Sequence, residues 1–506
     1  MTTRKPYESL GNYIDGQFLK ISDPNGEVIS RDPGDLERPG VAFPFSFEHV
    51  HEAISSARRS FRKWKQVPDK ERKKIISQYR DLLKQRCEAL ANAISVEIGK
   101  PLWESKLEIT ETCQLIDYYL KEVSQTSVEL KTDAQVEQST GTIRFLSRGI
   151  MAVITPATVP VFASHQHFIP ALINGDTVIL KSSKFAPYVG QCLAELAHES
   201  GMPAGVINIL QGDAELGRRL VSHPEVDGVL FTGSYETAAK IKKQILSDDA
   251  KLFVMDAGGK NAMIVWDDCH YEQALHDALV ASYLTTGQRC TSTSRILVHE
   301  KIFDRFLEDF HNSSKKCVVD YSLSPGPEIP FLGTLVSEEA MENYLRFQGI
   351  AVREGGEEIM RGKTLERSRK GYYVSPSIHY VERPDAKSVY QTSEIYGPNV
   401  AFYKVQDYEQ TKEIVNIPRT GLVASIYCTN KETYLRLAEE VRVGLFHWNR
   451  PTTSLAYMLP YGGIRQSGNA RPMGSMAGLQ CTYPLSSLEM MLPFQPESST
   501  YPLPRR

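Results

Sequence analysis

The sequence predicts an α/β protein with two parallel-sheet units in succession and a smaller antiparallel β element standing off them. Three observations carry this expectation. From Gly149 onward short apolar runs alternate with amphipathic ones in the order strand, helix, strand, helix. A second series of the same kind begins at "KNAMIVWDD". Ahead of both, "TSVELKTDAQVEQSTGTIRFLSRG" alternates loosely, with Thr, Val and a Gly turn, as an extended hairpin does.

In chain order, the early region reads as helices. The first is expected from about Ser46, an N-cap residue type, to Gln66. The second is expected from Lys70 to Gly99, with Ile75, Ile76, Tyr79, Leu82, Leu83, Leu90, Ala93 and Ile94 at helical spacing. Gly99-Lys100-Pro101 breaks the pattern, and "LWESKLEITETCQLIDYYLKEV" resumes it. The first sheet series runs "IMAVITP", helix "ASHQHFIPALING", "TVILKS", helix "YVGQCLAELAHESG", "VINILQG", helix "ELGRRLVSH", "GVLFTGS" and helix "YETAAKIKKQILSD". That order predicts a doubly wound parallel sheet. The second series passes through "RILVHEKIFDRFLEDF" and "GLVASIYCTNKETYLRLAEEV". "LQCTYPLSSLEMM" then reads as an edge strand, and "LPFQPESSTYPLPRR" as a surface tail.

Composition narrows the class. A chain of 506 residues, 41% hydrophobic and 24% charged, is long enough for two or three domains around sizeable cores. Its formal net charge of -3 offers no electrostatic reason to expect nucleic acid or an anionic membrane as partner. "GIMAVITPATVPVFA" is short and carries Pro156 and Pro160, so it does not read as a membrane span. The first residues lack an apolar signal region. Eight scattered cysteines, none in a C-x-x-C pair, suit reduced thiols in a cytoplasmic enzyme rather than disulfides or zinc.

Four motifs carry chemistry. "GVLFTGSYETA" ends a strand at Gly233-Ser234 and opens a helix, whose free amides suit a phosphate; alone, such a motif is more often only a turn. "GQRC" sets Cys290 beside a Gly-Gln step, where local amides could stabilise a thiolate; a buried structural cysteine is the alternative. "SEIYGPNVAF" places Glu394 before an aromatic and a Gly-Pro turn, as a ribose-hydroxyl acceptor or as a solvated loop acid. "HWNRPTTSLAYMLPYGGIRQSGNARP" is a long Gly/Pro-rich loop, either functional or a structural crossover.

Taken in order, "EIGKPLWES", "ITPATVP", "IPALINGDTVILKSS", "FTGS", "DAGGKN", "GQRC", "EIYGP" and "PYGGIRQSG" resemble the aldehyde dehydrogenase superfamily, over nearly the whole chain. "WNRPTT", "SGNARP" and "CTYPLSSLE" are most similar to its branch acting on succinylglutamate semialdehyde in bacterial arginine breakdown. The resemblance implies a Rossmann-like cofactor domain (1–125 and 147–256), an α/β catalytic domain (257–475), an oligomerising β-flap (126–146 and 476–496) and a tail (497–506). It implies a homodimer or homotetramer that oxidises an aldehyde with NAD or NADP. Cys290 would attack the aldehyde to form a thiohemiacetal and then a thioester, with Asp256 as the base for hydrolysis and Thr158 at the oxyanion position. The cofactor would be held by Thr155, Pro156, Lys181, Ser183, Lys184, Gly212, Gly233, Ser234, Gly258, Glu394 and Tyr396.

Three positions depart from the family pattern. Asp256 stands where glutamate is usual, Thr158 where asparagine is usual, and Lys184 where many relatives have an acid. Aspartate falls short of glutamate's reach by about 1.5 Å, roughly one C–C bond. Two alternative readings follow: a catalytically impaired relative that still binds dinucleotide, and a CoA-acylating dehydrogenase in which thiol replaces water and a strong base matters less.

Overall fold

The structure is a computed structural model and describes residues 7–123, 130–133, 139–324 and 328–490. The tip of the expected hairpin (134–138), the lead-in at 124–129 and the tail lie outside these residues.

The first βα series forms a seven-stranded sheet. Its spatial order is Leu252–Ala257, Gly228–Gly233, Ile150–Ile154, Thr177–Lys181 and Ile207–Leu210, closed at one edge by the hairpin Asn12–Ile14 and Gln17–Leu19. The five long strands run parallel and the hairpin antiparallel. Ile150–Ile154 shows why its apolar run is continuous. Met151 and Val153 enter a core with Ile76, Tyr79 and Ile116 of the helices Asp69–Gln85 and Leu102–Glu122, while Ile150 and Ala152 enter another on the opposite face with Phe43, Ile54 and Val229. From this strand the chain winds first to one side and then to the other. The order therefore reverses between Ile150–Ile154 and Gly228–Gly233, and a crevice opens at their carboxyl ends.

A three-residue link, Gly258 to Lys260, carries the chain into the second seven-stranded sheet. Its order is Glu357–Met360, Ser377–Tyr380, Asn399–Val405, Thr293–His299, Asn261–Val265, Val423–Tyr427 and Leu445–Trp448, parallel except for the first pair. A third, antiparallel sheet joins Thr482–Met490 to Ser139–Ser147 and that strand to Leu130–Asp133. No helix among the described residues is long and apolar enough to cross a membrane.

Helix ends differ from the sequence expectation where tertiary contacts decide them. The first helix is Glu48–Trp64 with Phe47 at its N-cap; the Ser46 hydroxyl accepts only from Glu48 N–H, at 3.3 Å. The expected helix from Lys70 to Gly99 is two, Asp69–Gln85 and Cys87–Ile98, broken at Arg86, whose ψ of 14° leaves the helical well. Arg86 turns its guanidinium to Glu199, at 2.5 Å. The helix expected from Ala163 begins earlier, at Pro160. Proline suits a first helical position, and the free amides of Val161 and Phe162 donate to the Glu108 carboxylate at 2.8 and 3.0 Å.

Candidate active site

The crevice at the reversal of strand order is a cleft of about 2070 Å³. That exceeds the roughly 300–1,000 Å³ of an ordinary small-molecule pocket and is ample for a dinucleotide. Thr155, Pro156, Thr158, Lys181, Ser183, Lys184, Gly233, Ser234, Gly258, Cys290, Glu394 and Tyr396 all line it. Asp256 and Gly212 are not among its lining residues. Gly212 instead lets a turn close: a Cβ there would come within 2.7 Å of the Leu216 side chain.

At one end, Ser234 caps the helix Tyr235–Gln244, its hydroxyl accepting from Thr237 N–H at 3.3 Å. The amides of that first turn face the cleft, and a helix N-terminus favours an anion there. Lys181 is buried, and burial pulls its ammonium down to about 8. Lys184 is exposed, with Nζ 4.8 Å from the centre of the Phe185 ring. Toward the other end, the Glu394 carboxylate lies against Gly258, where a Cβ would overlap it. Burial pushes Glu394 up to about 8, against a hydrogen bond from Tyr396. Its Oε1 is buried without a partner. A buried carboxylate oxygen left unpaired beside a side-chain-free approach is the feature a ribose hydroxyl would satisfy. The cleft thus fits a nicotinamide dinucleotide.

Cys290 follows a strained turn. Thr285 and Thr286 have φ of 53° and 54°, a left-handed conformation that costs a β-branched residue on the order of 1–3 kcal/mol. The turn is held from outside. Glu104 accepts from Thr285 N–H at 3.0 Å and from the Thr285 hydroxyl, and it pairs with Arg289 at 2.8 Å. On the far side, Asn261 Nδ2 donates to the carbonyls of Cys290 (2.7 Å) and Ser292 (3.0 Å). The Cys290 Sγ lies 3.9 Å from the Tyr461 hydroxyl. Burial, then the charges of Asp256 and Glu394, push the thiol up to about 12.

Asp256, 3% exposed, sits at the end of Leu252–Ala257. Its Oδ2 is 3.5 Å from both Gln166 Nε2 and the Thr232 hydroxyl, and its Oδ1 has no partner. Burial drives the carboxyl up to about 7. Behind it, His167 Nε2 lies 2.6 Å from the Thr232 hydroxyl and is kept neutral by burial. The strand bearing Asp256 is completed by residues far downstream. Asn469 Oδ1 accepts from Met255 N–H at 3.0 Å, Asn469 Nδ2 donates to Phe253 O at 2.7 Å, and Asp256 bridges to Gly468.

The sequence pattern described as "Aldehyde dehydrogenase family" matches residues 32–484. The chain belongs to the aldehyde dehydrogenase family. The protein named N-succinylglutamate 5-semialdehyde dehydrogenase in Legionella pneumophila (strain Corby) is 31% identical over 487 residues, 96% of either chain. Among solved structures, the NAD-dependent aldehyde dehydrogenase from Sinorhizobium meliloti superposes with a TM-score of 0.91 at 26% identity, over 97% of each chain. An NADP-dependent enzyme from E. coli superposes with a TM-score of 0.89 at 25% identity, over 96% of this chain and 98% of its own. This aldehyde dehydrogenase therefore has the family's fold and its general reaction, the NAD(P)-dependent oxidation of an aldehyde.

Several residues that shape the site were not singled out from sequence: Glu104, Glu108, Gln166, Thr232, Asn261 and Tyr461. Tyr461 lies inside the Gly/Pro-rich loop read as functional, but nothing local distinguishes it from the loop's other aromatic residues. Glu104 and Glu108 share one face of the helix Leu102–Glu122 at a spacing of four, which reads as well for a solvated stripe.

Proposed function

We propose that this aldehyde dehydrogenase oxidises a semialdehyde with a carboxylate tail, of the succinylglutamate semialdehyde type, with Cys290 as nucleophile and Asp256 as base. The observation that carries the reading is Cys290 opening onto a dinucleotide-sized cleft that it shares with Glu394, Gly233 and Ser234. The substrate class is supported by the name borne by the 31%-identical relative and by the resemblance carried by the "WNRPTT" and "SGNARP" segments.

The Cys290 sulfur bonds the aldehyde carbon, and the resulting oxyanion is met by the Thr158 hydroxyl and the Cys290 backbone N–H. When bound, the nicotinamide cofactor supplies the acceptor for the hydride that leaves this carbon. Asp256 then takes the proton from the water whose oxygen bonds the thioester carbon, and the C–S bond breaks, releasing the acid and returning Cys290 as its thiolate. Lys181 and Ser234 would hold the cofactor's adenosine and pyrophosphate ends, and Glu394 the ribose beside Tyr396. Arg289 is already engaged by Glu104, so it is not the receptor for the substrate's tail.

Stopped-flow absorbance at the NADH band, with excess aldehyde, tests the scheme. Cys290→Ala should abolish the burst and leave cofactor binding intact. Full activity in that variant would end the nucleophile assignment. Acceleration of turnover by CoA would favour the acylating reading over hydrolysis.

A further inference from the structure

Attack on an aldehyde needs a thiolate at Cys290, yet the surroundings oppose one. Five titratable groups face the sulfur. Asp256 and Glu394 are acids whose charges raise the thiol. Tyr396 is hydrogen-bonded to Glu394, so its O–H is already engaged. Arg289 is bound to Glu104 at 2.8 Å and, through Nε, to the Thr285 hydroxyl at 2.9 Å. The fifth is Tyr461, whose Oη lies 3.9 Å from Sγ.

Tyr461 is held in place by its backbone. It ends the short strand Pro460–Tyr461, which pairs with Met473–Gly474 so that Tyr461 opposes the buried Met473. Gly462 and Gly463 follow, and the chain is packed tightly around them. A side chain at Gly444 would overlap the Gly462 carbonyl, and one at Gly463 would overlap Ser467. The phenol therefore reaches the sulfur from a fixed point. Burial, and then the charges of Asp256 and Cys290, push Tyr461 well above its ordinary range, so it keeps its proton and remains a donor.

We propose that Tyr461 is a further catalytic residue, whose phenolic O–H donates a hydrogen bond to Cys290 Sγ and stabilises the attacking thiolate. The phenolic proton stays on oxygen throughout, so the role needs no proton transfer through the ring. This inference rests on Cys290 being the nucleophile.

The test is alkylation of Cys290 by iodoacetamide across pH, followed by mass analysis of its peptide in wild type and Tyr461→Phe. Removing the donor should raise the alkylation midpoint by about one pH unit and slow the reaction at neutral pH about threefold, the higher-pKa thiolate being the better nucleophile. The alkaline plateau should not fall, because access to the sulfur is the same in both proteins. A purely structural role would lower the plateau or the melting temperature and leave the midpoint alone. Superposable profiles would overturn the proposal. Should Tyr461→Phe not fold, 3-fluorotyrosine placed at position 461, a more acidic donor, should lower the midpoint; an unchanged midpoint would overturn it equally. The readout needs no aldehyde turnover. Hydride transfer persisting in Cys290→Ala would sink the nucleophile reading, whereas an unshifted profile beside an inactive Cys290→Ala would sink only the role of Tyr461.

Discussion

At the scale of single residues, Asp256 has the most to answer for. Its burial lifts the carboxyl to about 7, so the basic form grows through the neutral range. Thioester hydrolysis should therefore rise about tenfold per pH unit below that midpoint and flatten above it, while the hydride burst does not follow the same curve. Asp256→Ala should trap the acyl-enzyme, visible by intact mass, and lower turnover by about 10²–10⁴-fold. Asp256→Glu restores reach and should raise the hydrolytic step. The stability sign runs the other way from an ordinary paired carboxylate. The folded form prefers the neutral acid, so stability is lost as pH rises from the usual aspartate range through about 7. Asp256→Asn should resist urea better than wild type at alkaline pH. Lys184 gives a second test. Exposed at the cleft wall, it can meet a 2′-phosphate with a pairing of about 1 kcal/mol, roughly fivefold in affinity. Titration calorimetry of both cofactors into Lys184→Glu should show the NADP-to-NAD affinity ratio falling by about that factor, and an unchanged ratio would remove Lys184 from cofactor selection. At this scale a distinctive local pattern was enough to pick out a cleft residue, as Gly-Gln-Arg did for Cys290, which lines the cleft. The sequence was mute on Tyr461 and Asn261, whose roles come from neighbours more than a hundred residues away in one case and from a single side-chain amide in the other.

Among the elements, the helix Leu102–Glu122 organises both walls of the site. Glu104 clamps the turn that leads to Cys290, and one helical turn on Glu108 caps the helix at Pro160 and pairs with the buried Lys100. Lys100 in turn donates to the Thr158 carbonyl at 3.2 Å. Glu104→Gln takes the paired carboxylate from the buried Arg289, leaving only the more distant charges of Glu111 and Glu108, and loosens the hold on the left-handed Thr285. Breaking such a buried pair costs about 3–5 kcal/mol, which chemical denaturation would register, and the burst should slow with it. Unchanged stability would mean that the turn holds itself. Helix and strand order were readable because both periodicities are strong, and the run of apolar strands from Ile150 to Ala257 leaves little choice of class. The break at Arg86 was not readable, since neither glycine nor proline marks it. The early start at Pro160 depends on an acid from another helix, which no local window contains.

For the molecule as a whole, the long strand Thr482–Met490 stands outside both large sheets. Tyr483, Leu485 and Leu488 are exposed on it at 42%, 43% and 62%. Apolar side chains on an exposed strand of this kind invite a second subunit. Sedimentation velocity should show a dimer or larger species at micromolar concentration, and Leu485→Lys with Leu488→Lys should shift it toward monomer. A wild-type monomer would contradict this. The doubly wound sheets could be inferred from pattern, whereas the edge hairpin Asn12–Leu19 could not, because six residues of strand carry too little periodicity. The finishing of the Asp256 strand by Gly468 and Asn469 bears on how the protein is made. A nascent chain emerging at about 5–20 residues per second can build the first sheet early. That sheet then waits with an open edge at Leu252–Ala257 until nearly the whole polypeptide has left the ribosome. During that interval Asp256 and Cys290 are already synthesised but Tyr461 is not yet beside the sulfur, and the waiting edge is where premature release would begin to aggregate.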